Sequence, residues 1–171
     1  QGGWHEAINL AAVWNLPFVC VIEDNAWGIS VAKSAATAVP TNDVRAAAYG
    51  IPGERVEGND PFAIYEAAGR AIARARAGEG PSLIEVETYR LAGHFMGDAE
   101  GYRPEGEKDG LFEKDPIPAM RARLLKDGAA SEEELAAIET ESEARVEKAI
   151  QFARNSVDPA PEDALTRVFA A

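Results

Sequence analysis

The spacing of apolar residues changes several times along the chain, and each change predicts an element. From Trp4 to Trp14 it is helical: Trp4, Ile8, Ala11 and Ala12 share one side, and Leu10, Val13 and Trp14 widen the apolar surface. Pro17 ends this helix. Phe18, Val19, Cys20, Val21 and Ile22 follow without alternation, bounded by Glu23, Asp24 and Asn25. A continuous apolar run rich in β-branched residues predicts a strand buried on both faces, as in a parallel sheet. Residues 41–49 predict a short helix opened by a capping residue and closed by Gly50, and 53–57 a short strand. Asn59 or Asp60 caps a helix over 61–77, with Pro61 in its first turn and Ile64, Ala68, Ala71 and Ala75 as a close-packing stripe. Residues 82–89 alternate enough to predict a strand near a sheet edge. The αβαβαβ order with short connections predicts an α/β fold of three layers with a mostly parallel sheet.

The texture changes at Arg90. Residues 90–110 hold five glycines, one proline and five acidic side chains without a period. A stretch of about 20 residues without regular structure predicts a functional loop or a partner-binding arm. Helices are predicted over 116–126 and 131–154, the second opened by a capping box of Ser131 and Glu134. Leu135, Ile138, Val146, Ile150 and Phe152 give it apolar positions, so it is expected to pack against the domain or a partner. The expected organisation is one domain over 1–155, with a tail over 156–171 that carries Leu165, Val168 and Phe169.

Charge narrows the choice. Acidic residues outnumber basic ones 29 to 17, for a net charge of −12. This argues against a duplex nucleic-acid binder, which needs a concentrated basic surface. Cys20, the single cysteine, supports no disulfide framework and is expected to be a buried thiol. No apolar run is long enough for a membrane span, and no leader opens the chain, so an intracellular, cytoplasmic protein is expected.

In a parallel sheet, ligands gather beyond the carboxyl ends of the strands. Two polar clusters fall there, one from Glu23 to Ser30 and one from Gly93 to Asp98. Glu23, Asp24 and Asn25 offer hard oxygens, and a chain turning at Trp27 and Gly28 would add a main-chain carbonyl, a set that suits magnesium. On composition alone, such a cluster is more often a turn at a solvated edge. His94 lies in a loop, where functional and structural readings both stand. His5 beside Trp4 reads as a packing histidine. His5, Cys20 and His94 have no zinc spacing, and no phosphate-cradling glycine loop is present.

Several of these segments together resemble the alpha subunits of thiamine-diphosphate-dependent 2-oxo acid dehydrogenases of the pyruvate and acetoin dehydrogenase type. The matching residues are His5 to Trp14, Leu16-Pro17, Glu23-Asp24-Asn25-Ala26-Trp27-Gly28-Ile29-Ser30, Val56 to Asp60, Ala77 to Pro81, Thr88 to His94, Gly97-Asp98, Tyr102-Arg103 and Asp115-Pro116. The resemblance implies the thiamine-diphosphate-binding fold. It implies magnesium held by the Asn25 side-chain oxygen and the Trp27 carbonyl. Thiamine diphosphate would lie against Asn25, Trp27, Gly28, Ile29 and His94. His94 would be the catalytic residue of this chain, touching the diphosphate and ordering a loop that includes Asp98, Tyr102 and Arg103. Arg103 is expected to pair with a loop carboxylate such as Asp98.

The resemblance further implies decarboxylation of pyruvate and transfer of the acyl unit to a lipoyl-bearing acyltransferase. Acetoin, a branched-chain 2-oxo acid, or a non-catalytic assembly role are the alternatives. The implied partner is a beta subunit in an α2β2 heterotetramer, whose glutamate activates the cofactor. Family members carry a Gly-Asp-Gly segment just before the position of Gln1, and its aspartate is the other protein ligand of magnesium. The chain is therefore expected to be the C-terminal half of an alpha subunit, or to work with a companion polypeptide carrying the rest. Asp24 replaces a common asparagine. Phe95 and Gly101 stand at or near regulatory serines of the mammalian enzymes, which disfavours kinase control.

Overall fold

The helical spacing of the opening residues becomes α1, Gly2–Val13, in the computed structural model, which describes residues 2–56, 58–166 and 168. Its packed side is the predicted one, with Ile8 and Ala11 buried and Trp4 and Ala12 packed beside them. Next come β1 (Val19–Asp24), the two-stranded hairpin β2 (Trp27–Gly28) and β3 (Val31–Ala32), and a single helical turn α2 (Lys33–Ala36). A 3-10 helix (Asp43–Tyr49), β4 (Gly53–Val56), α3 (Pro61–Arg76) and β5 (Ser82–Glu87) complete the series. Two unit boundaries follow from the packing: one compact unit ends at Met120 and a second begins at Arg121. Gln1, Glu57 at the end of the predicted 53–57 strand, and Phe169 of the predicted tail group lie outside the described residues.

The sheet order is β1-β5-β4, and both pairings are parallel. Successive residues of β5 supply its two faces. Ile84 and Val86 join Val56, Ala67 and Ala71 under α3, and Leu83 joins Ile8, Ala46 and Ile51 under α1 and the 3-10 helix. Helices on both sides of a parallel sheet give the predicted three-layer α/β fold. Asp60 caps α3 by accepting from the Phe62 amide at 2.9 Å, and Pro61 occupies the first turn. Small side chains line the face of α3: Ala67, Ala71 and Ala75 are buried, so the stripe runs through Ala67 where the sequence suggested Ala68. Gly53 is set by close approach: a Cβ there would lie 2.4 Å from the Asp43 carbonyl oxygen.

Within this chain the run at 18–22 forms β1, paired on one side with β5, and Val21 is 53% exposed. The segment expected near an edge forms the central strand, buried from Ser82 to Val86. The misleading signal is Glu85, which makes the run alternate like an edge yet is 0% exposed. Its carboxylate accepts from the amides of Asn42 (2.6 Å) and Asp43 (2.9 Å) and from Asn42 Nδ2 (3.0 Å), and lies 3.4 Å from Lys33 Nζ. A buried carboxylate is tolerable when its lone pairs are filled in this way. Cys20 is half-buried, and burial raises its pKa against a hydrogen bond with Trp4.

The second unit contains most of α4 (Pro116–Lys126), then α5 (Glu132–Asn155) and a 3-10 helix (Pro161–Leu165). The α4 helix stops at Gly128 (φ 64°), with the Ala129 amide donating to the Leu124 carbonyl. The α5 helix has the expected capping box of Ser131 and Glu134. Within this chain α5 buries no residue, and Ile138, Val146 and Phe152 are exposed. Among the described residues, no helix is long and apolar enough to cross a membrane.

Glu85→Leu should destabilise the protein by about 2–4 kcal/mol in denaturant melts, because it leaves the Asn42 and Asp43 amides without their acceptor while Lys33 keeps Asp24. Burial raises the Glu85 pKa, but the Asn42 and Asp43 amides, Asp24 and Asn42 outweigh it and the net shift is downward. Its stabilisation is therefore complete above the ordinary glutamate range and lost as pH falls through the lowered native value. Wild-type and Glu85→Gln stabilities should converge below pH ~4. A constant gap down to acid pH would contradict this.

Candidate functional site

At the C-terminal end of β1 the chain makes two successive side-chain turns. Asp24 Oδ1 accepts from the Ala26 amide and Asn25 Oδ1 from the Trp27 amide, each at 3.0 Å. Ala26 (φ 65°) and Ile29 (φ 58°) both enter the left-handed region, on either side of Trp27 and Gly28. Such conformations cost about 1–2 kcal/mol per residue outside glycine, and strain of this kind gathers at functional sites. The resulting open cleft, about 240 Å³, is lined by residues that include Asp24, Asn25, Trp27, Gly28, Lys33 and Asn42.

These side chains are not equivalent. Asp24 Oδ2 pairs with Lys33 and accepts from Asn42 Nδ2 at 3.2 Å, and its side chain is 9% exposed. Asp24 is thus a structural anchor, in contrast to the sequence grouping that offered it as a free oxygen ligand. Burial lowers the Lys33 pKa, yet the hydrogen bond to Asp24 and the charges of Asp24 and Glu85 raise it overall, so Lys33 stays cationic and cancels the added acidity. Asn25 differs, because its oxygen uses one lone pair for Trp27 and keeps another. An amide oxygen and a main-chain carbonyl are hard neutral donors, which fit part of a magnesium shell completed by phosphate and water oxygens. Among the described residues, no three His, Cys, Asp or Glu side chains form a metal cage.

The segment after β5 has no helix or strand before the 3-10 turn at Phe112–Lys114, as expected, but it is extensively cross-linked. Arg90 donates to the Ile29 carbonyl at 2.9 Å and to the Tyr102 hydroxyl, and Tyr102 donates to Asp98 at 2.6 Å. Asp98 also accepts from the amides of His94 (2.8 Å) and Glu100 (2.9 Å). Gly93 permits this fold, since a Cβ there would lie 2.8 Å from Asp98 Cβ. Arg103 pairs with a loop carboxylate, as expected, but the partner is Glu100 at 3.2 Å instead of Asp98, and it donates to the Arg90 carbonyl at 2.8 Å. The Tyr102 ring lies 5.3 Å from that of Trp27, so this segment meets the turn at the end of β1.

Trp27, Gly28 and Asn25 therefore share one cleft. Ile29 sits at the hairpin tip, 57% exposed, with its carbonyl held by Arg90. His94 is exposed and outside the cleft lining, positioned through its main chain by Asp98. Sequence reasoning missed Lys33, Asn42, Glu85, Arg90 and Glu107. A glutamate in the middle of an apolar strand was a signal for Glu85; the others had none, because their partners lie far along the chain.

The hydrogen bond from Tyr102, then those from the His94 and Glu100 amides, hold the Asp98 pKa at about 2. The same bond raises the Tyr102 pKa. Tyr102→Phe should move the Asp98 titration toward ordinary aspartate values in carboxyl-carbon NMR, and the loop should loosen in acid at a higher pH than in wild type. The sign follows from a lowered carboxylate, whose contribution is lost as pH falls. An unmoved Asp98 titration would remove Tyr102 from this role.

Comparison with known proteins accords with this arrangement. The chain is 46% identical over 170 residues to the acetoin:2,6-dichlorophenolindophenol oxidoreductase alpha subunits of Cupriavidus necator and Bacillus subtilis, covering 99% of this chain and 51% and 50% of theirs. It is 39% identical over 99% of its length to the chloroplastic pyruvate dehydrogenase E1 component subunit alpha-3 of Arabidopsis thaliana, covering 40% of that protein. It is 41% identical to a 3-methyl-2-oxobutanoate dehydrogenase alpha subunit of Mycobacterium tuberculosis, covering 99% of this chain and 45% of that one. The chain thus spans about half the length of the curated relatives it matches. Because the model of the dehydrogenase E1 component matches residues 1–162, the chain belongs to that family.

Proposed function

We propose that this chain is the C-terminal part of the alpha subunit of a thiamine-diphosphate-dependent dehydrogenase acting on acetoin, with a beta subunit in an α2β2 assembly and a lipoyl-bearing acyltransferase as partners. The missing portion belongs to the same polypeptide or to a companion chain. The observation that carries the reading is the turn at the end of β1, where Asn25 Oδ1 is fixed by the Trp27 amide at the mouth of the cleft. Identity of 46% to two acetoin-oxidising relatives, against 39% to a pyruvate dehydrogenase subunit, favours acetoin over pyruvate.

The roles follow from the geometry. Asn25 and the Trp27 carbonyl would hold magnesium, which in turn would hold the diphosphate. Gly28 and Ile29 would lie against the cofactor, and Arg90 fixes the Ile29 carbonyl. Lys33 offsets part of the negative charge of Asp24 and Glu85 beside the cleft. His94, exposed on the cross-linked segment, would meet the diphosphate and the incoming lipoyl group. Thiamine diphosphate supplies carbon–carbon bond cleavage when bound; this chain anchors, orients and encloses it.

In the complete complex, kcat/KM for acetoin should exceed that for pyruvate by about tenfold or more, which is ~1.4 kcal/mol of transition-state discrimination. A preference for pyruvate or a branched-chain 2-oxo acid would reverse the substrate assignment. Asn25→Ala should weaken magnesium-dependent cofactor binding by about tenfold or more in calorimetry, and by more than Trp27→Phe, which keeps the carbonyl ligand and loses only the indole's hydrogen bond. Unchanged cofactor affinity in N25A would defeat the metal assignment. Failure of the wild-type complex to bind the cofactor would favour a non-catalytic assembly role.

A further inference from the structure

The Trp27 indole is gripped by residues some 80 positions later in the chain. Its Nε1 donates to Glu107 Oε1 at 2.8 Å, the Arg103 guanidinium lies 5.7 Å over its face, and Arg103 Nη1 lies 4.0 Å from Glu107 Oε2. The Arg103 side chain is 4% exposed and that of Glu107 31%, so the grip is partly shielded from water and its one charge-assisted hydrogen bond, from Trp27 to Glu107, is stronger than a neutral one. The gripped residue lies between the two non-glycine left-handed residues Ala26 and Ile29. Strained backbone persists only where its surroundings over-determine it. Arg90 holds the Ile29 end through its carbonyl, and Glu107 holds the middle through a side chain.

Resting on the function proposed above, we infer that Glu107 is a positioning residue for the cofactor-metal cleft. By accepting from the Trp27 indole it keeps the 25–29 turn in its strained form, with the Asn25 oxygen and the Trp27 carbonyl set for one metal ion. Glu107 touches neither metal nor cofactor and acts only through Trp27. The tie also makes order in the 90–110 segment and order in the cleft a single cooperative event.

The test is a double-mutant cycle on the complete alpha–beta complex, read by hydrogen exchange of peptides covering 24–33 without cofactor and by Mn²⁺ titration with thiamine diphosphate. Loss of a charge-assisted hydrogen bond should speed exchange in the turn about tenfold or more in Glu107→Ala. Trp27→Phe removes the donor, keeps the ring and should match it, and the double variant should go no further. Glu107→Gln retains an acceptor oxygen and should return exchange close to wild type. Mn²⁺ affinity should fall in E107A and W27F and recover in E107Q, with the melting temperature of the complex little changed. Additive exchange effects, an undisturbed turn in E107A, or loss of metal affinity not rescued by E107Q would overturn the inference. A wild-type complex that binds no thiamine diphosphate would instead sink the functional reading, and the exchange cycle, run without cofactor, would still decide the Glu107 grip.

Discussion

The cleft is built outward from a carboxylate that has no contact with water. Glu85 occupies the middle of the central strand, and four donors from two other segments converge on it. Two are main-chain amides at the start of the 3-10 helix, so the helix is pinned to the sheet by its own unsatisfied N–H groups. The third, Asn42 Nδ2, also reaches Asp24, and the fourth, Lys33, pairs with Asp24. The end of β1 is thereby fixed in three dimensions by a charge buried in a neighbouring strand. An apolar residue at 85 would pack, but it would leave the Asn42 and Asp43 amides without their acceptor, while Lys33 would keep only Asp24.

From that anchored strand end the chain enters a turn it would not adopt unaided. Asp24 and Asn25 each fold back on the amide two residues ahead, which fits both for turn formation and divides their roles. Asp24 is consumed by structure, whereas the Asn25 oxygen keeps coordination capacity. The left-handed Ala26 is held by the Lys33 amide and the Asp24 side chain, while Arg90 and Glu107 from the irregular segment after β5 hold Ile29 and Trp27. That segment is ordered by pairs of opposite charge and by the Tyr102–Asp98 bond, which use up much of its acidity locally. The net charge of −12 is thus partly offset within local pairs, and beside the cleft Lys33 serves both Asp24 and Glu85.

The family relationship gives this geometry its chemical context, and the geometry indicates how the family's residues are supported in this chain. Relatives with different substrates in their names share this stretch with the chain at 39–46% identity.

Sequence alone determined the elements whose signals are local. Proline and glycine punctuation, the Asp60 and Ser131 caps, helical periodicity in α1 and α3, and the αβαβαβ order depend on neighbours within a few residues. They identified the three-layer fold and pointed to Asn25 and Trp27 at a strand end. Burial within the sheet was not local. A strand's rank depends on which strands flank it, so the glutamate-bearing run came to lie between β1 and β4. The division of labour between Asp24 and Asn25, the pairing of Arg103 with Glu100, and the Glu107 hold on Trp27 were likewise decided only by the tertiary structure. Each is a choice among several equally charged or equally polar partners, and only the folded chain fixes which of them lie within hydrogen-bonding distance.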